Sequence, residues 1–199
     1  EGLGVEILTK YLNKFYEEFP EIEIELLADT RSRSLSNRET DILIALSRPK
    51  KGRLKSWKLC DYYVKLYGSN EYLKKNPKIT DIKDLTNHKF VNYADELIEF
   101  PELHYLQEIN SNPTIVFSSN SLRSQLLAVK NGIGIGLLHS FVAYKEKDLK
   151  VILPEKINIK REYWIVVHEN NFHLRRIKAV TDFVTTILND EKKFLSTVE

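Results

Sequence analysis

Apolar residues between Val5 and Phe19 recur every three or four positions, at Leu8, Tyr11, Leu12, Phe15, Tyr16 and Phe19, and Pro20 follows at once. That period predicts a helix with one buried face, stopped by the proline. The next stretch, "EIEIELL" (Glu21–Leu27), alternates charged and apolar side chains, as a strand with one wet face does. The short polar piece "RSRSLSNRE" gives way to "TDILIALS", whose apolar run over Asp41–Leu46 predicts a buried strand. "KSWKLCDYYVKLYGSN" predicts one or two further strands ending near Gly68. "EYLKKNP" predicts a short helix closed by Pro77, and "ITDIKDLTNHKFVNY" a turn of helix followed by a strand over Phe90–Tyr93.

The second half repeats this grammar. "PTIVFS" reads as a strand, Ser121–Asn131 as a helix, "IGIGLL" as a strand and "HSFVAYKEK" as a helix. "LKVILP" and "REYWIVVHE" are strands. Leu174–Leu188 is a final helix with Ile177, Val180, Val184, Ile187 and Leu188 on one face and Arg175, Arg176 and Lys178 on its wet side. Strands alternating with helices predict an α/β fold with mostly parallel sheets. No low-complexity linker divides the halves, so two lobes would be joined by strands.

Composition narrows the function classes. A net charge of +2 gives no basis for nucleic-acid or membrane-surface binding. The single cysteine, Cys60, excludes an internal disulfide framework and suits a reducing compartment. No apolar run reaches the roughly 18 residues of a membrane span. The opening "EGLGVEILTKYL" is amphipathic and unlike a signal peptide. With no methionine anywhere, the chain reads as a piece of a longer one.

The segment "SSNSLRSQLLAVKNGIGIGLLHSF" (118–141) carries three alternating glycines. A phosphate-binding glycine loop follows a strand and opens a helix. Here the glycines follow the helix, so Gly132 is expected to end it and Gly134 and Gly136 to thin a strand. The anion-ready end is the other one, where Ser119, Asn120 and Ser121 precede the helix and its free amides. The same residues also suit a capped loop without a ligand. Cys60 lies in the apolar "LCDYYV" and reads as inert core. The five histidines lack metal-ligand spacing, and no nucleophile elbow or P-loop is present. The chain is therefore read as no enzyme, with no cofactor and no metal.

Four stretches carry a family resemblance. "LTKYLNKFYEEFPEIEIELL", "ETDILIALSRP", "SNSLRSQLLAVKNGIGIGLLHS" and "YWIVVHENNFHLRRIKAVTDFVTTIL" occur in this order, and together they resemble the effector-binding domain of LysR-type transcriptional regulators. The resemblance covers nearly the whole chain. It implies two Rossmann-like lobes of the type 2 periplasmic-binding-protein kind, with two interlobe crossovers. Lobe I would be residues 1–67 and 167–199, and lobe II residues 68–166. It implies a small-molecule effector in the interlobe cleft, a homo-oligomer (a dimer, or a tetramer at full length) and a cytoplasmic protein without membrane contact. DNA would be bound only through an N-terminal winged helix-turn-helix absent from this chain. The family's usual first strand is absent as well, because the chain begins in the loop leading to the first helix. A stand-alone solute-binding protein for transport is the alternative of the same architecture.

Carried over, the cleft would be lined by loops at the C-terminal ends of strands. These are Thr30, Ser47 and Arg48, then Asn92 and Tyr93, then Ser119, Asn120 and Ser121. His139 stands where the family commonly has proline. Each also has a plain structural reading. Thr30 and Ser47 suit backbone hydrogen bonding in loops, Arg48 a solvated charge, Tyr93 the core, and His139 a cap or packing residue rather than a pH sensor. The Ser/Asn helix start together with Arg48 leans towards a small anion such as a carboxylate.

Overall fold

The computed structural model describes residues 1–28, 35, 40–94, 100–191 and 195. Two long antiparallel strands form its spine. β1 (Ile42–Ala45) precedes them; β2 (Leu54–Ser69) then pairs with β7 (Asn158–His168) from Leu54 opposite His168 to Lys65 opposite Asn158. One register shift lies between Lys58 and Cys60. β1 extends the sheet outside β7, while β5 (Ile135–His139) and β6 (Leu149–Ile152) both pair with the last residues of β2. β3 (Lys89–Asn92) and β4 (Thr114–Ser118) complete the order β1-β7-β2-β5-β3-β4, with β6 beside β2.

The patterning explains why β2 takes this central place. From Val64 to Ser69 every residue is buried, which requires cover on both faces, and Tyr62, Val64 and Leu66 are the centre of the main core. The expectation of mostly parallel sheets is corrected here. Among the described residues, only β3–β4 and β3–β5 are parallel, and the four ladders involving β2 or β7 are antiparallel. Two strands that traverse the whole molecule in opposite directions impose that pattern on their neighbours.

The first helix is also revised. Val5–Phe19 is not continuous: α1 (Gly2–Glu6) ends at Ile7, a 3-10 turn spans Leu8–Tyr11, and α2 (Leu12–Glu18) follows. Ile7 and Leu8 are both buried, so the buried face turns faster than a regular helix allows. The Thr9 hydroxyl donates to the Gly4 carbonyl at 2.9 Å, satisfying an acceptor near the break. Phe15 then packs its ring against Phe19 and Phe183.

The strand expected at Glu21–Leu27 is not formed. Residues 22–28 belong to no ladder, and Leu26 and Leu27 are exposed. Alternation prepared the segment for a neighbour, but no described strand pairs with it.

In the second half the helices fall where the pattern puts them. α3 (Asn70–Lys75) is capped by Ser69, whose hydroxyl accepts from the Tyr72 amide. α4 (Leu122–Lys130) ends in a Schellman pair: Gly132 N–H donates to Val129 O, and Ile133 N–H to Ala128 O. Gly132 has φ +72°, and a Cβ on Gly134 would stand 2.6 Å from the Lys89 carbonyl oxygen. The glycines therefore end a helix and admit a neighbouring backbone, as the order of elements implied. α5 (Ser140–Ala143) follows β5 directly. α6 (Arg175–Asp190) buries Ile177, Thr181, Val184, Ile187 and Leu188, with Arg175, Arg176 and Lys178 exposed. Among the described residues, no helix is long and apolar enough to cross a membrane.

Candidate functional site

A cavity of about 660 Å³ opens where α1, the end of β3, the start of α5 and β7 converge. It has two parts. Its polar end is formed by Glu1, Gly2, Tyr93, His139 and Tyr163, with Phe100 and Leu103 beside them. From there an apolar trough runs between residues 22–28 and β1, over Ile177, Val180 and Val184 of α6. No described ladder crosses the trough: β1 pairs only with β7, and residues 22–28 pair with nothing. Its walls are thus the unladdered segment 22–28 and the edge strand β1, a shape suited to a strand. The polar end is the part suited to a small molecule.

The floor of that end is a chain of buried phenols centred on His139. β5 pairs with β2 so that His139 stands opposite Val64, two residues beyond the last apolar pair, Leu137 opposite Leu66. The Tyr62 and Tyr105 hydroxyls are 3.2 Å apart; the Tyr105 hydroxyl is 3.2 Å from His139 Nε2, and the Tyr163 hydroxyl is 3.5 Å from Nδ1. The Tyr62 and Tyr163 rings stack at 4.3 Å. Burial drives the His139 pKa down to about 3, so the ring is neutral and one nitrogen accepts while the other donates. Burial also holds the Tyr62, Tyr105 and Tyr163 phenols well above their ordinary value. His139 is therefore the hub of a neutral hydrogen-bonded floor. It can orient a ligand's hydroxyl or carbonyl but carries no charge.

Above the floor is the start of α4. Ser119 N–H donates to Asn92 O, tying the loop to β3, and Ser119 Oγ accepts from the Ser121 amide at 3.1 Å. Ser121 caps the helix by accepting from Ser124 N–H at 3.2 Å. Its hydroxyl also donates to the Glu1 carboxylate at 2.8 Å, and the Leu122 amide donates to the other carboxylate oxygen at 2.6 Å. Arg161 packs against Tyr105 of the floor. It donates to the Glu102 carbonyl, pairs with Glu108 and lies 5.4 Å from the Tyr105 ring centre.

The residues expected at the cleft separate accordingly. Tyr93 and His139 line the cavity, and Ser121 reaches it through Glu1. Ser119 shapes the loop, Asn120 is exposed, and Asn92 is buried behind it. Ser47 and Arg48 do not line the cavity; the Arg48 guanidinium lies 5.8 Å from the Trp164 ring centre, which holds it away. Thr30 lies outside the described residues. Sequence reading missed Glu1, Tyr105 and Tyr163. Tyr163 sat in "REYWIVVHE", read only as a strand, and Tyr105 in a stretch given no element; only the Ser/Asn helix start hinted that a carboxylate belonged opposite it. Cys60 is buried, as expected of a core residue. Among the described residues, no group of three or more His, Cys, Asp or Glu side chains is placed to hold a metal ion.

The family model described as LysR substrate binding domain matches residues 1–188. The chain belongs to that family. The Haemophilus influenzae "Glycine cleavage system transcriptional activator homolog" is 24% identical over 197 residues, spanning 96% of this chain and 64% of that protein. The chain thus spans less than two thirds of that relative. The regulatory domain of CrgA, a LysR-type transcriptional regulator from Neisseria meningitidis, superimposes with a TM-score of 0.75 at 22% identity, covering 94% of each chain. The CcmR regulatory domain of Synechocystis PCC6803, solved in complex with 2-PG, gives a TM-score of 0.73 at 15% identity, covering 92% of this chain and 91% of that one. This shared fold is the two-lobed, type 2 periplasmic-binding-protein-like one of the family's domains, in which β2 and β7 are the two crossovers.

Proposed function

We propose that this chain is the effector-sensing unit of a LysR-type bacterial transcription regulator. It binds a small molecule at the polar end of the cavity and so controls an attached DNA-binding domain. The observation that carries this reading is the convergence of Tyr93, Tyr163, neutral His139 and Glu1, itself bonded to the start of α4, at one end of the cavity in a member of that family. Lobe I comprises residues 1–67 and 167–199, and lobe II residues 68–166. The effector acts through its different affinity for open and closed arrangements of these lobes. The regulator is cytoplasmic and homo-oligomeric, as a dimer or, at full length, a tetramer, and meets DNA only through its other domain. It catalyses no reaction. The transport reading loses ground because the relatives are named as transcriptional regulators.

A thermal-shift screen of metabolites tests the proposal, because a ligand specific to the folded state raises the melting temperature by mass action. A saturable hit is expected that weakens about tenfold or more in Tyr163→Phe and in Tyr93→Phe, the loss of one good hydrogen bond in each case. A hit that binds both variants as well as the parent would place the effector elsewhere.

A further inference from the structure

The reading above puts an effector at the polar end of the cavity, and the inference here rests on it. The start of α4 is already occupied by an anion. Glu1 places one carboxylate oxygen 2.8 Å from Ser121 Oγ and the other 2.6 Å from the Leu122 amide nitrogen. Both donors there that sequence reading assigned to a ligand acid are thereby engaged. The remaining polar groups of the loop answer one another: Ser119 Oγ accepts from Ser121 N–H, and the Gln125 amide donates to Ser119 O.

A second group points into the same space without a partner. Tyr93 is only 5% exposed and lines the cavity, yet among the described residues its hydroxyl makes no hydrogen bond. Its neighbour at the cavity mouth is Glu1, whose negative charge adds to burial in holding the phenol protonated. A hydroxyl on the cavity wall that no protein group engages is free to donate to a ligand. Glu1, held by α4, does not reach it.

We propose that the Glu1 carboxylate is a tethered stand-in for the acid group of the effector: a carboxylate effector binds by displacing it from α4, and Tyr93 supplies a donor that Glu1 leaves unused. Glu1 is then the residue that sets the threshold and selectivity of the site. A free acid must outcompete an intramolecular one of high effective concentration, so only ligands with further contacts to Tyr93 and the His139 floor succeed. The occupant also ties α1 to α4, so its displacement releases one contact between the two halves of the cleft.

Chemical rescue tests this with acetate as the probe. In the 199-residue protein, the Leu122 amide proton resonance should move on Glu1→Ala and return towards its original position as acetate is added. Acetate should bind Glu1→Ala about tenfold more tightly than the parent, the difference one charge-assisted hydrogen-bonded competitor makes. Adding Ser121→Ala or Tyr93→Phe to Glu1→Ala should weaken the rescue. Glu1→Gln, which keeps the side-chain volume, should fall between parent and Glu1→Ala. Equal acetate affinity in the parent and Glu1→Ala would overturn the proposal, as would a Leu122 amide indifferent to Glu1. A metabolite hit insensitive to both Tyr163→Phe and Tyr93→Phe would instead refute the effector site itself, whatever acetate does.

Discussion

His139 is the residue at which sequence and structure differ most in meaning. Along the chain it is an imidazole at the end of an apolar run; in the fold it joins Tyr105 to Tyr163 at the cavity floor. No local pattern could show this, because its partners lie 34 and 24 residues away. Burial holds its pKa down to about 3, so the ring is neutral at ordinary pH. The sign of its effect on stability follows. An unfolded histidine takes up a proton near pH 6.5 and the folded one only near pH 3, so the unfolded state binds more protons between these values. The contribution of His139 is complete above that window and is lost as pH falls through it, at about 1.4 kcal/mol per pH unit. Urea unfolding at pH 7 and pH 5 should show His139→Gln less stable than the parent at pH 7. The gap should narrow by about 1–2 kcal/mol at pH 5, where the variant has no imidazole to protonate. A gap of constant size would mean that His139 is solvated in solution.

At the scale of elements, legibility followed the range of the interactions. α4 could be read closely because everything that fixes it is local: a Ser121 cap, a stripe of Leu122, Leu126 and Val129, and Gly132 at the end. The break at Ile7 was invisible because it depends on which core receives Ile7 and Leu8. The strand at Glu21–Leu27 failed for a third reason: a strand needs a neighbour as well as a pattern. Alternation gave the residues two faces, but across the trough from β1 no described segment hydrogen-bonds to them. The glycines allow a graded test. Gly132→Ala places a side chain at φ +72° and should cost about 1 kcal/mol. Gly134→Ala meets the Lys89 carbonyl at 2.6 Å, between β5 and the start of β3. It should cost more, about 2–3 kcal/mol, because backbone rather than a flexible side chain must yield. Equal losses in denaturant midpoints would mean that β3 shifts freely away from the loop before β5.

At the scale of the molecule, two antiparallel strands hold the halves of the cleft together while the remaining strands leave edges. β2 and β7 share a continuous ladder from one end to the other, interrupted only at Leu59. In the proposed two-lobe reading, relative motion of the lobes has to pass through these two paired strands. β4 is the outer strand of the other end, and its Ile115 and Val116 are 40% and 43% exposed. Leu127 and Ile133, on and just beyond α4, are 44% exposed each. An open strand edge flanked by exposed aliphatic side chains is a surface that a second chain can cover. If this chain pairs with its own copy, as the expectation of a homo-oligomer requires, that surface is where pairing is expected. Ile115→Lys combined with Val116→Lys places charge on the edge without touching the buried core. Light scattering should then report a dimer for the parent and a monomer for the double variant, with unchanged helical content by circular dichroism. A parent that stays monomeric at high concentration would remove the dimer. A double variant that still dimerises would move the interface to other exposed apolar side chains, such as Tyr16, Leu26 and Leu27.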